Sequence, residues 1–400
     1  MEAMRILMIN ICCGTGSTGR ICTDLAARLE EAGHEVKIAY ARDGLPEWAE
    51  KYAVRIGTTA DVLCHAASAR LLDNAGFASR RATAKFLRWV REFDPDIIHL
   101  HNLHGYYIHV GLLFDYLKQS GKRVIWTLHD GWAFSGHSAL CDLTGCTRWE
   151  TGCHDCPQRN VYPQSFPDRS RQNWQKKKEC FTGVPKLTIV TPSRWLADQV
   201  RRSFLGQYPV TVIPNGINTS VFRPTDSDFR KRHRLESKRV LLGAASPFNE
   251  MKGFSDYLKL AQMLDDRYQV VLIGLTRRQI SALPENILGL ERTSSLQELA
   301  CAYSAADLFV NLTYCDTYPG VNLEASACGT PVVTYATGGS PESAFLCAGV
   351  VEKGDIPAMA DAIRAYFEPP KETATLSETD IRALDNSTAI DAYEALYEAR

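Results

Sequence analysis

Short apolar runs alternate with longer amphipathic segments along the whole chain. The apolar runs span residues 5–11, 36–40, 97–100, 124–128, 187–190, 210–213, 239–243, 270–274, 307–312 and 332–333. Helical spacing of apolar residues is found between or after them, over residues 21–31, 60–90, 296–304, 356–367 and 381–397. Strands that alternate with helices in this way predict parallel sheets covered on both faces, so we expect an α/β protein.

The chain has 400 residues, which is too long for one small core and predicts about two domains. Residues 218–224 separate two series of apolar runs and are expected to form a linker. We therefore expect two doubly wound domains, over residues 1–218 and 219–380, that face each other across a cleft. The last helical segment, about residues 381–400, is expected to pack back on the first domain.

Composition and charge exclude several classes of protein. Apolar residues make up 45% and charged residues 23%, which is typical of a globular protein, and a net charge of -1 gives no general attraction to nucleic acid. The first ten residues are expected to form a strand rather than a signal peptide, and no apolar run approaches the length of a membrane span. Thirteen cysteines, an odd number, favour reduced thiols and a cytoplasmic protein.

A basic stretch lies within the helical segment 60–90. Its cations are Arg70, Arg80, Arg81, Lys85 and Arg88. A solvated helix face explains these charges, and the same is expected of the triplet 176–178. The alternative is a surface that leans on anionic lipid, where each cation contributes about 1 kcal/mol. That alternative would place the protein peripherally on the inner face of the membrane.

Two carboxylates eight residues apart flank a turn in the second half. Asp316 follows the apolar run 307–312, and Glu324 lies about one turn into the next helical segment. Both should face the crevice at the carboxyl ends of parallel strands, where such sheets bind ligands. The amides near Gly320 and Val321 lie at a helix start, which suits a phosphate. A ligand with phosphate and several hydroxyls, such as a nucleotide sugar, fits this arrangement.

Lys252 adds a positive charge close to another helix start. It precedes Gly253 and Phe254, where a helix is expected to begin between two apolar runs. A lysine at such a position is usually only solvent-exposed. Together with the helix amides, however, its ammonium group can hold a phosphate.

A glycine turn follows the first apolar run. Residues 14–19 read Gly-Thr-Gly-Ser-Thr-Gly, which matches the G-x-G-x-x-G pattern of dinucleotide-binding domains, with Asp43 placed as a ribose partner. A turn that lets any anionic or bulky ligand approach the backbone has the same pattern. A nicotinamide-dependent dehydrogenase is therefore one interpretation, but it leaves Asp316 and Glu324 unexplained.

Histidines follow two of the predicted strands. His101 and Asn102 come directly after the run 97–100, and His129 comes directly after the run 124–128. A single histidine of this kind is usually structural. Because two strands release histidines at their carboxyl ends, we expect a site at that edge of the sheet. His129 can donate a hydrogen bond to a sugar hydroxyl, and His101 and Asn102 can meet an acceptor.

A cysteine cluster lies in the aromatic, glycine-containing segment that follows. It consists of Cys141, Cys146, Cys153 and Cys156, with His137 and His154 as substitute ligands. Four thiolates can close a tetrahedral structural zinc site, although the spacing is shorter than in common zinc ribbons. The alternative is a set of free or disulfide-paired cysteines that staple a long loop.

Taken together, these motifs resemble those of the retaining glycosyltransferases of the GT-B type called family four. The resemblance covers nearly the whole chain and rests on the glycine turn 14–19, Thr191-Pro192-Ser193, residues 212–216, Lys252-Gly253 and residues 316–331. The histidine segments and the cysteine loop look most like those of bacterial exopolysaccharide and capsule transferases.

The resemblance implies two Rossmann-like domains, with the acceptor side in the first and nucleotide-sugar binding in the second. It implies transfer of a sugar from a UDP- or GDP-linked donor to a glycan or lipid-linked acceptor, with retention, in surface polysaccharide biosynthesis. No cofactor is expected for catalysis, because Lys252 and helix N-termini can stabilise the departing diphosphate without a metal.

The resemblance also assigns roles to single residues. The catalytic residues are expected to be His129, Asp316 and Lys252. The donor is expected to meet Gly16, Lys252, Asp316, Tyr318, Pro319, Gly320, Val321 and Glu324. The acceptor side is expected to include Gly14, Ser17, His101 and Asn102. Glu324 corresponds to the carboxylate on the ribose, and Asp316 to the one beside the donor sugar.

This sequence departs from the family pattern in two places. Asp316 stands where the family usually has a glutamate, and residues 244–246 read Ala-Ala-Ser where an arginine is common. Two alternatives therefore remain beside transfer: a sugar-nucleotide 2-epimerase of the same architecture, and a non-catalytic subunit that binds a nucleotide sugar. The sequence does not specify the sugar, the base, the acceptor or the oligomeric state.

Overall fold

The structure is a computed structural model that describes residues 3–42, 44–368 and 375–399. Asp43, which the dehydrogenase interpretation placed on a ribose, lies outside the described residues. The same holds for residues 369–374 of the connector before the last helical segment.

The described residues form two parallel sheets. The strands are β1 (Arg5–Ile9), β2 (Glu35–Tyr40), β3 (Ala53–Arg55), β4 (Ile97–Leu100), β5 (Arg123–Thr127), β6 (Leu187–Thr191), β7 (Val210–Val212), β8 (Arg239–Ala244), β9 (Tyr268–Ile273), β10 (Ile287–Leu290), β11 (Leu308–Asn311), β12 (Val332–Tyr335) and β13 (Cys347–Val351). The first sheet has the order β3-β2-β1-β4-β5-β6-β7, and the second has the order β10-β9-β8-β11-β12-β13. The order reverses in each sheet, at β1 and at β8, as in doubly wound folds.

Helices connect these strands. They are α1 (Gly16–Glu31), α2 (Thr59–Leu72), α3 (Arg80–Phe93), α4 (Val110–Ser120), α5 (Ser170–Phe181), α6 (Arg194–Arg202), α7 (Phe229–Arg232), α8 (Phe254–Met263), α9 (Arg277–Ile280), α10 (Leu296–Ala305), α11 (Gly320–Ala327), α12 (Ser340–Ser343), α13 (Ile356–Phe367), α14 (Glu378–Leu384) and α15 (Asn386–Glu398). Short 3₁₀ turns occur at Glu47–Tyr52, Cys141–Thr144, Arg148–Glu150, Phe204–Gln207 and Glu250–Lys252. The expected α/β class is confirmed.

The chain divides into two compact units. The first comprises Met1–Ile213 and Ile390–Arg400, and the second comprises Pro214–Ala389. Residues 214–218, which the sequence analysis assigned to the first domain, belong to the second unit, where Ile217 forms a β-bridge with Asp385. The end of α15 belongs to the first unit, where the Tyr393 hydroxyl lies 3.0 Å from Oγ1 of Thr127.

The second unit shows why its sheet is doubly wound. Neighbouring residues of one strand enter different cores: Leu242 of β8 packs with Tyr303 of α10, whereas Leu241 packs with Leu260 of α8. Successive side chains of a strand point to opposite faces, so a buried apolar run needs helices on both sides. The sheet of this unit is therefore covered twice, and its loops at the carboxyl ends of the strands remain available for a site.

Two predicted helices are each interrupted. The segment 60–90 contains α2 and α3, separated by a loop in which Asp73 and Ser79 adopt left-handed conformations and Gly76 has φ +88°. Hydrophobic spacing continues across the loop, but these turn residues end the helix. The segment 381–397 contains α14 and α15, and it is broken at Asp385, which accepts hydrogen bonds from Thr219 and from the backbone amide of Ser387.

The prediction of a solvated lysine face at residues 176–178 was wrong for Lys177. Its side chain is buried, and Nζ donates to the carbonyl oxygens of Trp132 at 2.6 Å and Ser135 at 3.0 Å. Burial lowers its pKa to about 7. Because α5 packs against the loop after β5, one lysine of the triplet turns inward and fastens that loop.

All thirteen cysteines lie within the described residues, and none of them is joined in a disulfide there. This agrees with the expectation of reduced thiols. Among the described residues, we find no helix with both the length and the apolar character that membrane crossing requires.

Candidate active site

Lys252 and Asp316 form an ion pair beside two neighbouring strands of the second unit. Nζ of Lys252 lies 2.7 Å from Oδ2 of Asp316, and both side chains remain partly exposed. Lys252 ends a 3₁₀ turn after β8, and Asp316 lies in the loop after β11. Because β8 and β11 are parallel neighbours, these loops emerge at the same edge of the sheet. The pair therefore presents a cation and a carboxylate where such sheets bind ligands.

The backbone of Asp316 is held by a glycine turn after β12. The amide of Gly339 donates to the carbonyl oxygen of Asp316 at 3.1 Å. Gly338 has φ +55°, and a Cβ at this position would lie 1.9 Å from the same oxygen. Only glycine therefore allows this close approach. The amide of Tyr318 donates to Oδ1 at 3.3 Å, so both oxygens of the carboxylate are oriented.

Helix α11 begins directly after this loop. Pro319 caps it in an extended conformation, and Gly320, the first helical residue, is exposed. A Cβ built on Gly320 would meet no atom within 4 Å, so the space beside it is open. The amides of Gly320 and Val321 belong to the first turn, which has no carbonyl partners inside the helix and carries the positive end of its dipole. This position suits an anion.

Glu324 lies one turn into α11 and is oriented by Tyr303. The hydroxyl of Tyr303 donates to Oε2 of Glu324 at 2.8 Å. Tyr303 is buried, and burial together with the neighbouring carboxylate raises its pKa well above the usual value. The hydroxyl therefore keeps its proton and remains a donor. The sequence analysis missed Tyr303 because it is on another helix, 21 residues before Glu324.

A buried asparagine fixes α11 against its neighbours. Oδ1 of Asn322 accepts from the side chain of Asn311 at 2.8 Å, and Nδ2 donates to the hydroxyls of Ser340 and Ser343, each at 3.0 Å. These bonds link α11 to β11 and to α12. The sequence analysis did not assign a role to Asn322, because an asparagine within a helix is more often exposed.

The glycine turn of the first unit has the backbone that its sequence requires. Gly14 and Gly16 have φ +72° and +65°, and the amide of Gly14 donates to the carbonyl of Gly19 at 3.2 Å. Gly16 and Ser17 are exposed at the start of α1. The turn therefore presents an open backbone at the end of β1.

Asn10 joins this turn to the end of the neighbouring strand β4. It is fully buried, and its Oδ1 accepts from the amide of Asn102 at 3.3 Å. Its Nδ2 lies 3.3 Å from the hydroxyl of Thr18 in α1. The sequence did not mark Asn10 as functional, because it is only a polar residue near the end of an apolar run.

His101 and His129 are in contact at the carboxyl ends of β4 and β5. Nδ1 of His101 lies 3.1 Å from Nε2 of His129, and the rings stack with centroids 5.4 Å apart. Burial lowers the pKa of His129 to about 4 and that of His101 well below the usual value. Both imidazoles are therefore neutral near pH 7, and each can act as donor and acceptor. His99 lies beneath them, with its ring centroid 4.0 Å from that of His101.

His104 and Asp130 form a second pair of side chains in the same loops. Nε2 of His104 lies 2.8 Å from Oδ2 of Asp130, and the amide of Trp132 donates to Oδ1 of Asp130 at 2.9 Å. Burial alone would raise the pKa of Asp130, but His104 and these hydrogen bonds lower it overall. This pair could not be recognised from the sequence, because His104 and Asp130 follow different strands.

The cysteine cluster surrounds a small cavity in the first unit. Cys141, Cys146, Cys153, Cys156 and His137 line this space of about 20 Å³. Within residues 3–42, 44–368 and 375–399, no three histidine, cysteine, aspartate or glutamate side chains are gathered closely enough to hold a metal ion. The zinc expected from the sequence stays a prediction.

Comparison with known families accounts for both units. The sequence model of "Glycosyltransferase Family 4" matches residues 18–221, which is just over half of the chain. The chain belongs to glycosyltransferase family 4. A second model, "Glycosyl transferases group 1", matches residues 238–368 of this family 4 chain. The protein is therefore a glycosyltransferase, and the dehydrogenase interpretation of the glycine turn is set aside.

Curated relatives of this family 4 chain agree. It is 22% identical over 343 residues to the "Putative colanic acid biosynthesis glycosyl transferase WcaC" of Escherichia coli K12, covering 82% of each chain. It is 30% identical over 212 residues to "D-inositol 3-phosphate glycosyltransferase 1" of Catenulispora acidiphila, covering 47% of this chain and 50% of that one.

Solved structures share the architecture. The Anabaena protein HepE in complex with UDP has a TM-score of 0.69 at 16% identity and covers 99% of this chain and 100% of its own. Sucrose-phosphate synthase from Thermosynechococcus elongatus has a TM-score of 0.68 at 17% identity and covers 98% of each chain. These similarities establish the fold, so the expected GT-B fold of two Rossmann-like domains is confirmed.

Proposed function

We propose that this glycosyltransferase moves a hexose from a UDP- or GDP-linked donor to a glycan or lipid-linked acceptor during assembly of a surface polysaccharide. The observation that carries the proposal is the Lys252–Asp316 pair beside the open first turn of α11, with Glu324 one turn away. A nucleotide sugar has a diphosphate and two sets of hydroxyls, which match this combination of groups. HepE was solved with UDP and with UDP-glucose, and WcaC is named for colanic acid biosynthesis, which supports the donor class and the pathway.

The donor is divided among three groups of the second unit. The diphosphate lies at the amides of Gly320 and Val321, with the ammonium of Lys252 beside it. Glu324, oriented by Tyr303, accepts hydrogen bonds from the ribose hydroxyls. Asp316, oriented through both oxygens, faces the hexose together with Tyr318 and Pro319.

Transfer proceeds with retention of anomeric configuration, by attack on the face that the diphosphate leaves. The departing oxygen accepts the proton of the acceptor hydroxyl, so no side chain has to form a covalent intermediate. The positive charge of Lys252 and the dipole of α11 stabilise the negative charge that grows on the diphosphate. Nuclear magnetic resonance of the first product formed, before any mutarotation, should give the same anomeric configuration as the donor.

No metal takes part in this transfer. The charge that a divalent ion would supply to the diphosphate comes from Lys252 and the helix amides. After passage through a column equilibrated with EDTA, added Mg²⁺ or Mn²⁺ should leave kcat unchanged within about twofold. A restoration of more than tenfold would contradict this part of the proposal.

The first unit supplies the acceptor side. His101, Asn102, Gly14 and Ser17 meet the acceptor, while Gly16 and His129 approach the donor sugar. Because His129 is neutral, it can donate one hydrogen bond to a hydroxyl and keep the other nitrogen for His101.

The enzyme works in the cytoplasm and contacts the inner face of the membrane peripherally. Support comes from α3, which exposes Arg80, Arg81, Lys85 and Arg88. Flotation with vesicles of anionic lipid should carry the protein upward, whereas neutral phosphatidylcholine vesicles should not. A variant with Arg81, Lys85 and Arg88 changed to glutamine should stay at the bottom with anionic vesicles and keep its melting temperature. Equal flotation of both proteins would show that these cations of α3 do not make the membrane contact, and absence of flotation of the wild-type protein would remove the contact.

The experiment that tests the function is a thermal-shift screen against UDP- and GDP-linked sugars, followed by a transfer assay with the sugar that binds. One base and one sugar should raise Tm by several degrees, and Glu324→Ala should abolish that shift. Donor consumption that needs no acceptor would indicate an epimerase instead. Binding without any turnover in the presence of lipid-linked glycans from a producing strain would indicate a non-catalytic subunit.

A further inference from the structure

The loop between β5 and α5 contains six potential metal ligands around one cavity. These are His137, Cys141, Cys146, Cys153, His154 and Cys156. His154 is half-exposed, and its Nδ1 lies 2.9 Å from Oδ2 of Asp155. The six ligands form an open ring, because no three of them are close enough in the described residues to constitute a formed centre. Metal binding at this cavity therefore requires the thiols to turn inward about their Cα–Cβ bonds.

His137 already has the surroundings of a metal-ligating histidine. Its side chain has no exposed surface, and Nδ1 lies 2.6 Å from Oδ1 of Asp73, which is also buried. Nε2 of His137 is buried and has no hydrogen-bond partner among the described residues. Metal-bound histidines typically donate one ring N–H to a carboxylate, which leaves the other nitrogen for the metal. A buried polar atom without a partner otherwise costs stability, so Nε2 requires a ligand.

A backbone amide points at one of the thiols. The amide of Gly136 donates to Sγ of Cys153 at 3.1 Å. This contact depends on glycine, because a Cβ on Gly136 would lie 2.7 Å from Cβ of Cys153 and 2.1 Å from the carbonyl oxygen of Ser170. Amide donors stabilise sulfur when it carries negative charge, as it does in a metal thiolate.

The thiols of Cys141 and Cys146 differ in their hydrogen bonding. Sγ of Cys141 donates to the carbonyl of Ser138 at 3.8 Å, so it has a partner as a protonated thiol. For Cys146 the described residues contain no hydrogen bond to the thiol. Lys177 is buried on α5 near the cysteine cluster. Its Nζ lies 3.7 Å from the centroid of the Trp132 indole and donates to two backbone carbonyls. Zn²⁺ with three thiolates and a neutral imidazole has a net charge of -1.

We propose that the ring binds one Zn²⁺ tetrahedrally through Nε2 of His137 and the thiolates of Cys146, Cys153 and Cys156. Binding releases the three thiol protons to solvent and involves no oxidation. The centre is structural, since all four positions are taken by protein ligands. It ties residues 137–156 into one compact loop, next to the segment that carries His129 and Asp130.

The test starts with the wild-type protein, purified without an affinity metal and dialysed. Zinc analysis should give about one Zn²⁺ per chain, and X-ray absorption should show three sulfurs at about 2.3 Å and one nitrogen at about 2.0–2.1 Å. A protein without zinc, or with zinc that dialysis removes, overturns the proposal. Four sulfurs and no nitrogen overturn the ligand set, in favour of Cys141 over His137.

Variants give an independent reading. His137→Asn and Cys156→Ser should lower the zinc content at least tenfold, whereas Cys141→Ser should keep it. Cys64→Ser, at an exposed thiol of α2, is the matched control for handling and oxidation and should also keep zinc. Full zinc in folded His137→Asn would contradict the proposal. If that variant does not fold, the absorption spectrum of the wild-type protein still decides the ligand set.

Discussion

Lys252 and Asp316 are bound to each other by an ion pair of 2.7 Å between the loops after β8 and β11. Each also has a backbone attachment: the amide of Lys252 donates to the side chain of Asn249, and the carbonyl of Asp316 accepts from Gly339. The two charges are therefore held in place by separate parts of the chain. This arrangement orients a cation for the diphosphate and a carboxylate for the donor sugar in a single contact.

Replacing Lys252 by alanine should lower kcat/KM at least about 100-fold, because the growing charge on the diphosphate loses its cation. Steady-state kinetics with the donor identified by thermal shift measures this. Lys259→Ala is the matched control, since Lys259 also pairs with an aspartate of this unit, Asp256, at 3.4 Å. It should keep near-normal activity. Near-normal activity of a folded Lys252→Ala protein would remove Lys252 from the site.

The role of Glu324 in donor binding can be tested in two steps, by removing Glu324 and by removing only its hydrogen bond from Tyr303. Glu324→Ala should lower transfer at least about 100-fold, mainly through loss of donor binding. Tyr303→Phe removes one hydrogen bond to a carboxylate, worth about 1.5–3 kcal/mol, and should raise KM for the donor about 10- to 100-fold with a smaller change in kcat. Kinetics on both variants separates the two effects. A Tyr303→Phe protein with unchanged KM would show that Glu324 needs no orientation.

Gly338 should be required to hold the backbone of Asp316 in its position. Alanine at this position adds the cost of a left-handed conformation, about 1–2 kcal/mol, and also brings Cβ against the Asp316 carbonyl. Gly329→Ala is the control, because Gly329 has φ +81° but its nearest neighbour lies at 3.5 Å. Both variants should lose stability through the left-handed conformation, Gly338→Ala should lose more because its Cβ meets the Asp316 carbonyl, and only Gly338→Ala should also lose activity beyond tenfold. Equal activities of the two variants would show that the backbone of Asp316 can move to accommodate alanine at position 338 without loss of function.

His65 should make the first unit sensitive to acid. Its Nε2 accepts from the amide of Gly76 at 3.0 Å, and burial, with a smaller effect of His109, lowers its pKa to about 4. In the unfolded chain His65 binds a proton below about pH 6.5, whereas in the folded chain it binds one only below about pH 4. Stability falls as the pH decreases through this window, by about 2 kcal/mol between pH 7 and pH 5 from this residue.

Denaturant unfolding of His65→Gln at pH 7 and pH 5 checks this expectation. The variant should lose about 2 kcal/mol less than the wild-type protein over the same interval. His154→Gln, at a half-exposed histidine of another loop, is the control for the substitution itself. Identical pH dependence in the wild-type and His65→Gln proteins would show that His65 does not account for the acid sensitivity.

The order of strands and helices was predictable because it depends on local spacing. Short continuous apolar runs and segments of period 3.6 are properties of neighbouring residues, and they placed most strands of both sheets. The failures occurred where tertiary contacts decide the outcome. The break at Asp73–Ser79 and the break at Asp385 are both turns within continuous hydrophobic patterns, and Lys177 is polar in sequence but buried against the loop after β5.

For the candidate site, the sequence by itself determined which residues follow which strands, and therefore that Asp316 lies at the carboxyl end of one strand and that His101 and His129 share the edge of another sheet. Parallel strands that are neighbours in a sheet bring their carboxyl ends together, which is why this inference works. Only the tertiary structure decided that Tyr303 orients Glu324, that Asn10 joins the glycine turn to Asn102, and that a buried nitrogen of His137 has no partner among the described residues. Those contacts join residues from different elements, and their distances depend on how helices pack on the sheet, which no local pattern encodes.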